Sequence, residues 1–116
     1  LMFVQWRDET SYPECIGPSV TFDGAGRITA GDRLVATAPV DGWLHVEIEA
    51  PLGKNAPRKY SLTVVPANGA RQVFTDLPFS GKDFRALHWL GFVSTATVDT
   101  AFFVDNLRIQ RVDRKK

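Results

Sequence analysis

Apolar and polar positions alternate with a period of two along much of this chain, and no stretch keeps the 3.6-residue period of an amphipathic helix. The clearest case is residues 43–50, where Leu44, Val46 and Ile48 fall on one face and Trp43, His45, Glu47 and Glu49 on the other. Such a segment predicts a strand with one face in the core and one in water. Residues 59–64 repeat the pattern, with Tyr60, Leu62 and Val64 set against Lys59, Ser61 and Thr63. Two further segments, 1–6 and 87–94, are apolar on both parities and predict centrally placed strands. The run from Thr100 to Gln110, rich in Phe and Val, predicts a closing strand buried on at least one face.

The breaks between these runs carry turn chemistry. Asp23-Gly24-Ala25-Gly26 predicts a hairpin between residues 19–22 and 27–30, and Gly31-Asp32 turns the chain into 33–38. Asn68-Gly69 is the strongest short hairpin signal, joining 59–64 to an antiparallel partner at 71–75. Residues 7–13, with charge and a proline, predict a long exposed loop. Ser80-Gly81-Lys82-Asp83 has the outline of a helix cap, but only about one helical turn fits before strand residues resume, so a short turn is expected. About eight strands with breaks every dozen residues predict an all-β fold, an antiparallel two-sheet β-sandwich.

Composition narrows the partners. The chain has 116 residues, of which 44% are hydrophobic, enough for one domain with a single core: residues 1–110, followed by a basic tail at 111–116. Fourteen basic against 13 acidic side chains leave a net charge of +1, which gives no electrostatic reason to expect nucleic acid as partner. No apolar run approaches the roughly 20 residues of a membrane span, which predicts a soluble domain. Cys15 is the single cysteine, so no internal disulfide is expected, and neither histidine stands near it in a nucleophile motif. The chain opens on Leu1 directly in strand-like sequence, which reads as an excerpt of a longer protein.

Four segments in order carry a family resemblance: Gly42-Trp43-Leu44-His45-Val46, Tyr60-Ser61-Leu62-Thr63-Val64, Leu90-Gly91-Phe92-Val93-Ser94 and Phe102-Phe103-Val104-Asp105-Asn106-Leu107. Over residues 33 to 110 the chain resembles the concanavalin A-like lectin/glucanase superfamily, in particular the laminin-G-like jelly rolls of large bacterial proteins. The resemblance implies two packed antiparallel sheets, a carbohydrate or protein ligand and an extracytoplasmic setting. Members usually carry further N-terminal strands, in keeping with an N-terminally incomplete excerpt.

Candidate chemistry lies in two places. Trp43 with His45 and Glu47 forms a candidate binding patch, because an indole stacks on the apolar face of a sugar whose hydroxyls need polar groups beside it. A Trp43 packed under a neighbouring loop is the alternative. Arg7, Asp8 and Tyr12, with Glu9, form a second candidate rim on a loop, against the alternative of a solvated charged loop. Glu47 and Glu49 are spaced like a carboxylate pair, but the segment lacks the central Asp and the second Glu of the superfamily's Glu-x-Asp-x-x-Glu glucanase motif, so a hydrolase ranks third.

No metal site and no cofactor are expected. Asp105-Asn106 reads as a bulge or backbone cap rather than a calcium site, His45 and His88 lack partners at zinc-ligand spacing, and Gly24-x-Gly26 lacks a third glycine. The sequence therefore points to a non-catalytic carbohydrate-binding module, with a structural or protein-interaction sandwich without a small ligand as the alternative.

Overall fold

The computed structural model describes residues 2–10, 13–38, 42–53, 55–67, 69–81, 83–94, 104–105 and 107–110. Among them eight strands form two antiparallel sheets, and there is no helix. The strands are β1 (Met2–Asp8), β2 (Cys15–Phe22), β3 (Arg27–Ala30), β4 (Arg33–Thr37), β5 (Leu44–Glu49), β6 (Lys59–Pro66), β7 (Gln72–Pro78) and β8 (Trp89–Ser94). The larger sheet has the order β4-β3-β2-β1-β8 and the smaller β5-β6-β7. Strands β1 to β4 and strands β5 to β7 are each joined by successive antiparallel pairings. The chain crosses from the larger to the smaller sheet between β4 and β5, and returns between β7 and β8 to pair with β1.

Both sheets contribute to one buried cluster. Val4, Val20, Ile28 and Ala30 come from the larger sheet, and Tyr60, Leu62, Val64 and Leu77 from the smaller. Phe79 and Phe84, from the return crossing, complete it. The Phe79 ring stacks 6.1 Å from Tyr60 and meets Phe84 edge-on at 5.1 Å, geometries that add to simple area burial. Phe84 fits because β2 offers no side chain where the ring lies: a Cβ on Gly17 would stand 2.6 Å from it. Tyr60 reaches the backbone of Ser19 in the other sheet, and burial nevertheless pushes its phenol up to about 12.

Along β5 half-buried Leu44, Val46 and Ile48 alternate with exposed His45, Glu47 and Glu49, as the periodicity requires. On β6 Tyr60, Leu62 and Val64 are buried as expected, but Thr63 is buried too and Ser61 half-buried, because β6 is flanked on both sides by β5 and β7. β6 pairs antiparallel with β7 as the Asn68-Gly69 signal predicts, with Asn68 itself outside the described residues. The turn at 23–26 closes through the Asp23 carboxylate, which accepts from the backbone N–H groups of Ala25 and Arg27, and Gly26 takes the positive φ of 84°.

Strand boundaries depart from the pattern at bulges. β2 starts at Cys15, because Gln5 faces Ser19 and Arg7 faces Ile16, so two residues, Gly17 and Pro18, oppose Trp6 alone. This bulge lets a proline, which cannot donate to the ladder, sit buried inside a strand. β7 runs on to Pro78 because Thr75 and Asp76 together oppose Ser61, with Asp76 at a φ of 58°. The extra residue turns Leu77 inward, three positions after Phe74, a spacing that no period-two pattern contains.

Three expectations are corrected. β8 lies at the end of the described sheet rather than in its middle, paired to β1 on one side. Arg7 and Asp8 belong to β1 and not to a loop, since the ladder with β2 and β8 continues to them. In the expected closing strand, residues 104–105 and 107–110 form no strand, and Val104, Leu107 and Ile109 are exposed. Strand propensity is realised only where a neighbouring strand completes the ladder and the core accepts the face. Residues 100–103 and 106 of that stretch lie outside the described residues, as does the basic tail at 111–116.

Truncating Leu62, which is fully buried, to alanine is expected to cost about 2–5 kcal/mol, whereas Val73→Ala, at a position 52% exposed on the same sheet, changes stability by less than about 1 kcal/mol. Urea unfolding of the two variants measures the contrast.

Candidate functional site

The outer face of the smaller sheet carries the first candidate patch. Trp43 directly precedes β5 and holds the exposed phase of that strand, 62% accessible to solvent. Two and four residues further on stand His45 and Glu47, as alternation requires. His45 Nε2 lies 3.2 Å from Glu47 Oε2, and Arg71, just ahead of β7, places Nη1 3.5 Å from the same oxygen. The sheet brings Arg71 here across β6, which separates β5 from β7. All three side chains are at least half exposed, so their ion pairing contributes little to stability.

Beside this polar group lies an open cleft of about 210 Å³ at the end of the smaller sheet, lined by Ala38, Gly42, Trp43, Leu44, Pro66, Ala67 and Gly69. Among the described residues that line it, the Trp43 indole N–H is the one polar side-chain group. Trp43 therefore stands between an apolar hollow and a hydrogen-bonding cluster.

The second candidate group is organised differently. Asp8 is buried, 3% exposed, at the end of β1. Its carboxylate accepts from the Thr10 hydroxyl and backbone N–H, and from the backbone N–H groups of Arg85 at 2.9 Å and Ala86 at 3.1 Å. Desolvation by itself would raise the Asp8 carboxyl, but these hydrogen bonds favour the ionised form and hold it well below the usual carboxylate range. Arg7 stacks over the Trp89 ring at 4.1 Å, donates to Gln5 Oε1 at 3.1 Å and approaches Glu14 at 3.7 Å. These two side chains are engaged within the fold: Asp8 ties β1 to the return crossing, and Arg7 braces the β1/β8 ladder. Tyr12 lies outside the described residues.

His88 sits at this junction as well. Its Nδ1 accepts from the Glu9 backbone N–H at 2.8 Å and lies 3.3 Å from Asp8 Oδ1, while the His88 backbone N–H donates to the Arg7 carbonyl. Neither Arg71 beside Glu47 nor His88 beside Asp8 was expected from sequence. Arg71 carried one usable signal, its position just after the Asn68-Gly69 hairpin. The His88 contacts join residues far apart in the chain, 79 residues for the bond from Glu9, and had none.

No family model, curated protein or solved structure matches the chain. Among the described residues there is no group of three His, Cys, Asp or Glu able to hold a metal ion, and no helix long and apolar enough to cross a membrane.

Asp8→Asn replaces an acceptor oxygen by an amide that faces N–H donors, and is expected to destabilise by about 1–3 kcal/mol at neutral pH. The wild-type carboxyl is depressed by folding, so its contribution is complete above the unfolded-chain value of 3.8 and is lost as pH falls below it. The stability gap between wild type and Asp8→Asn should thus be constant from pH 7 to about pH 5 and shrink below about pH 4. Denaturant titrations of both proteins across that range check it.

Proposed function

We propose that this chain is a non-catalytic carbohydrate-binding module of a larger, extracytoplasmic bacterial protein, with its two sheets packed as a concanavalin A-like, laminin-G-like jelly-roll sandwich. The observation that carries the binding reading is the exposed Trp43 beside the His45, Glu47 and Arg71 cluster. An indole left 62% exposed adds little to the core, whereas a sugar ring can cover it with C–H groups and present hydroxyls to its edge. Glu47 accepts from such hydroxyls, and His45 and Arg71 hold its carboxylate in place.

The non-catalytic part of the proposal rests on the sequence, in which Glu47 and Glu49 lack the central Asp and the second Glu of the superfamily's glucanase motif. The jelly-roll and extracytoplasmic parts of the proposal rest on the four-segment motif resemblance. A protein-interaction sandwich is the second reading, favoured by the exposed apolar side chains of Leu107 and Ile109.

Residue-resolved NMR with a panel of soluble glycans tests the proposal. Amides of residues 43–49 and the Trp43 indole should shift on titration, and Trp43→Ala should weaken binding at least about tenfold while leaving the spectrum dispersed. A dispersed wild-type spectrum indifferent to every glycan would favour the protein-interaction reading.

A further inference from the structure

Glu47 and Arg71 present an acceptor and a set of donors side by side on the outer face of the smaller sheet. At 3.5 Å, Arg71 Nη1 stands beyond ordinary hydrogen-bond length from Glu47 Oε2, the oxygen that also faces His45 Nε2 at 3.2 Å. Neither the Glu47 nor the Arg71 side chain makes any other ion pair or side-chain hydrogen bond among the described residues. Glu47 Oε1 therefore offers its lone pairs to a ligand, and the guanidinium offers its N–H donors. The two side chains are 50% and 62% exposed, so a ligand reaches both from solvent.

Such a pair fits a group that donates and accepts at neighbouring positions. A lone hydroxyl that bridges the two leaves the rest of the carboxylate and of the guanidinium fork to water. Two hydroxyls on adjacent ring carbons answer acceptor and donor together, and the ring that holds the first has already ordered the second. A charged group on the ligand would be attracted by one partner and repelled by the other. The fit is to a neutral sugar with a free vicinal diol.

Trp43 makes this a chain rather than a single sugar, an inference that rests on the carbohydrate-binding reading above. Trp43 and Glu47, four residues apart on one strand face, are separated by roughly 13–14 Å. That span exceeds one pyranose ring, so the stacked ring and the diol belong to different units. Linkage then selects among chains. A 1,4-linked hexose or xylose keeps two adjacent hydroxyls on every internal unit, whereas internal 1,3-linked units have none and a 1,4-linked 2-acetamido sugar has an amide in place of one.

We infer that the outer face of the smaller sheet binds neutral 1,4-linked glycan chains, one unit stacked on Trp43 and another held by its two adjacent hydroxyls, the first donating to Glu47 and the second accepting from Arg71.

Tryptophan fluorescence and NMR titrations of the full chain test this with 1,4-linked glucose, mannose and xylose oligomers, from monosaccharide to hexasaccharide, as methyl glycosides. At least one series should bind, its longer members at least about tenfold tighter than its monosaccharide. The 2-deoxy and 3-deoxy counterparts of that series should each lose about tenfold, the effect of one hydrogen bond to a charged group. The loss from one of them should disappear in Glu47→Ala and the loss from the other in Arg71→Met, both substitutions at exposed positions. A monosaccharide that binds as tightly as the oligomers, a single hydroxyl that carries the whole effect, deoxy losses that persist in both variants, or binding confined to 1,3-linked glucose or 1,4-linked N-acetylglucosamine chains would each overturn the inference while leaving a carbohydrate-binding module in place. Binding of no glycan at all would remove both.

Discussion

The return of the chain from the smaller sheet to the larger depends on one buried carboxylate. Asp8 closes β1, and its oxygens take the backbone N–H groups of Arg85 and Ala86 just after Phe84 has entered the core. Charge-assisted bonds to backbone donors are strong, and a carboxylate inside the protein is tolerable only when it is satisfied in this way. The staple and the plug act on adjacent residues. Phe84 supplies the hydrophobic part, filling the space that Gly17 leaves on β2, and Asp8 fixes the direction in which the chain departs toward β8. From there β8 pairs with β1 over the whole ladder from Arg7 opposite Trp89 to Met2 opposite Ser94.

The same economy explains why the two candidate groups diverge. Asp8 and Arg7 look alike in sequence to any exposed charged pair, yet both are committed to internal partners. Their chemistry is architectural. Glu47, by contrast, lies on an outward face whose inward neighbours, Val46 and Ile48, anchor the strand. The rigid strand fixes the positions of His45 and Glu47, and the β6/β7 turn delivers Arg71 to them. A face of this kind can hold polar groups in fixed positions at low entropic cost, which is what recognition of a ligand rich in hydroxyls requires.

Trp43 gives the face its asymmetry. On one side the cleft is apolar and small, and on the other the polar groups are already oriented by their mutual contacts. The cost of exposing a large aromatic surface is recovered only when something covers it, and Trp43 is 62% exposed.

Much of the fold was legible in the chain. Period-two alternation placed β5 and β6 and the faces they bury, and the glycine-containing turns placed the hairpins, because these features depend only on neighbours in sequence. The exposed phase of Trp43, His45 and Glu47 followed from the same alternation. What sequence could not contain was every property that depends on a partner far along the chain. Gly17-Pro18 and Thr75-Asp76 read as breaks until the facing strands turned them into bulges. The stretch from Thr100 to Gln110 had the composition of a buried strand, but its described residues lack one, because composition sets the willingness to pair and tertiary structure supplies the pairing. Asp8 was an exposed acid in sequence and is a buried staple in the fold, since the N–H groups that satisfy it arrive from 77 and 78 residues away.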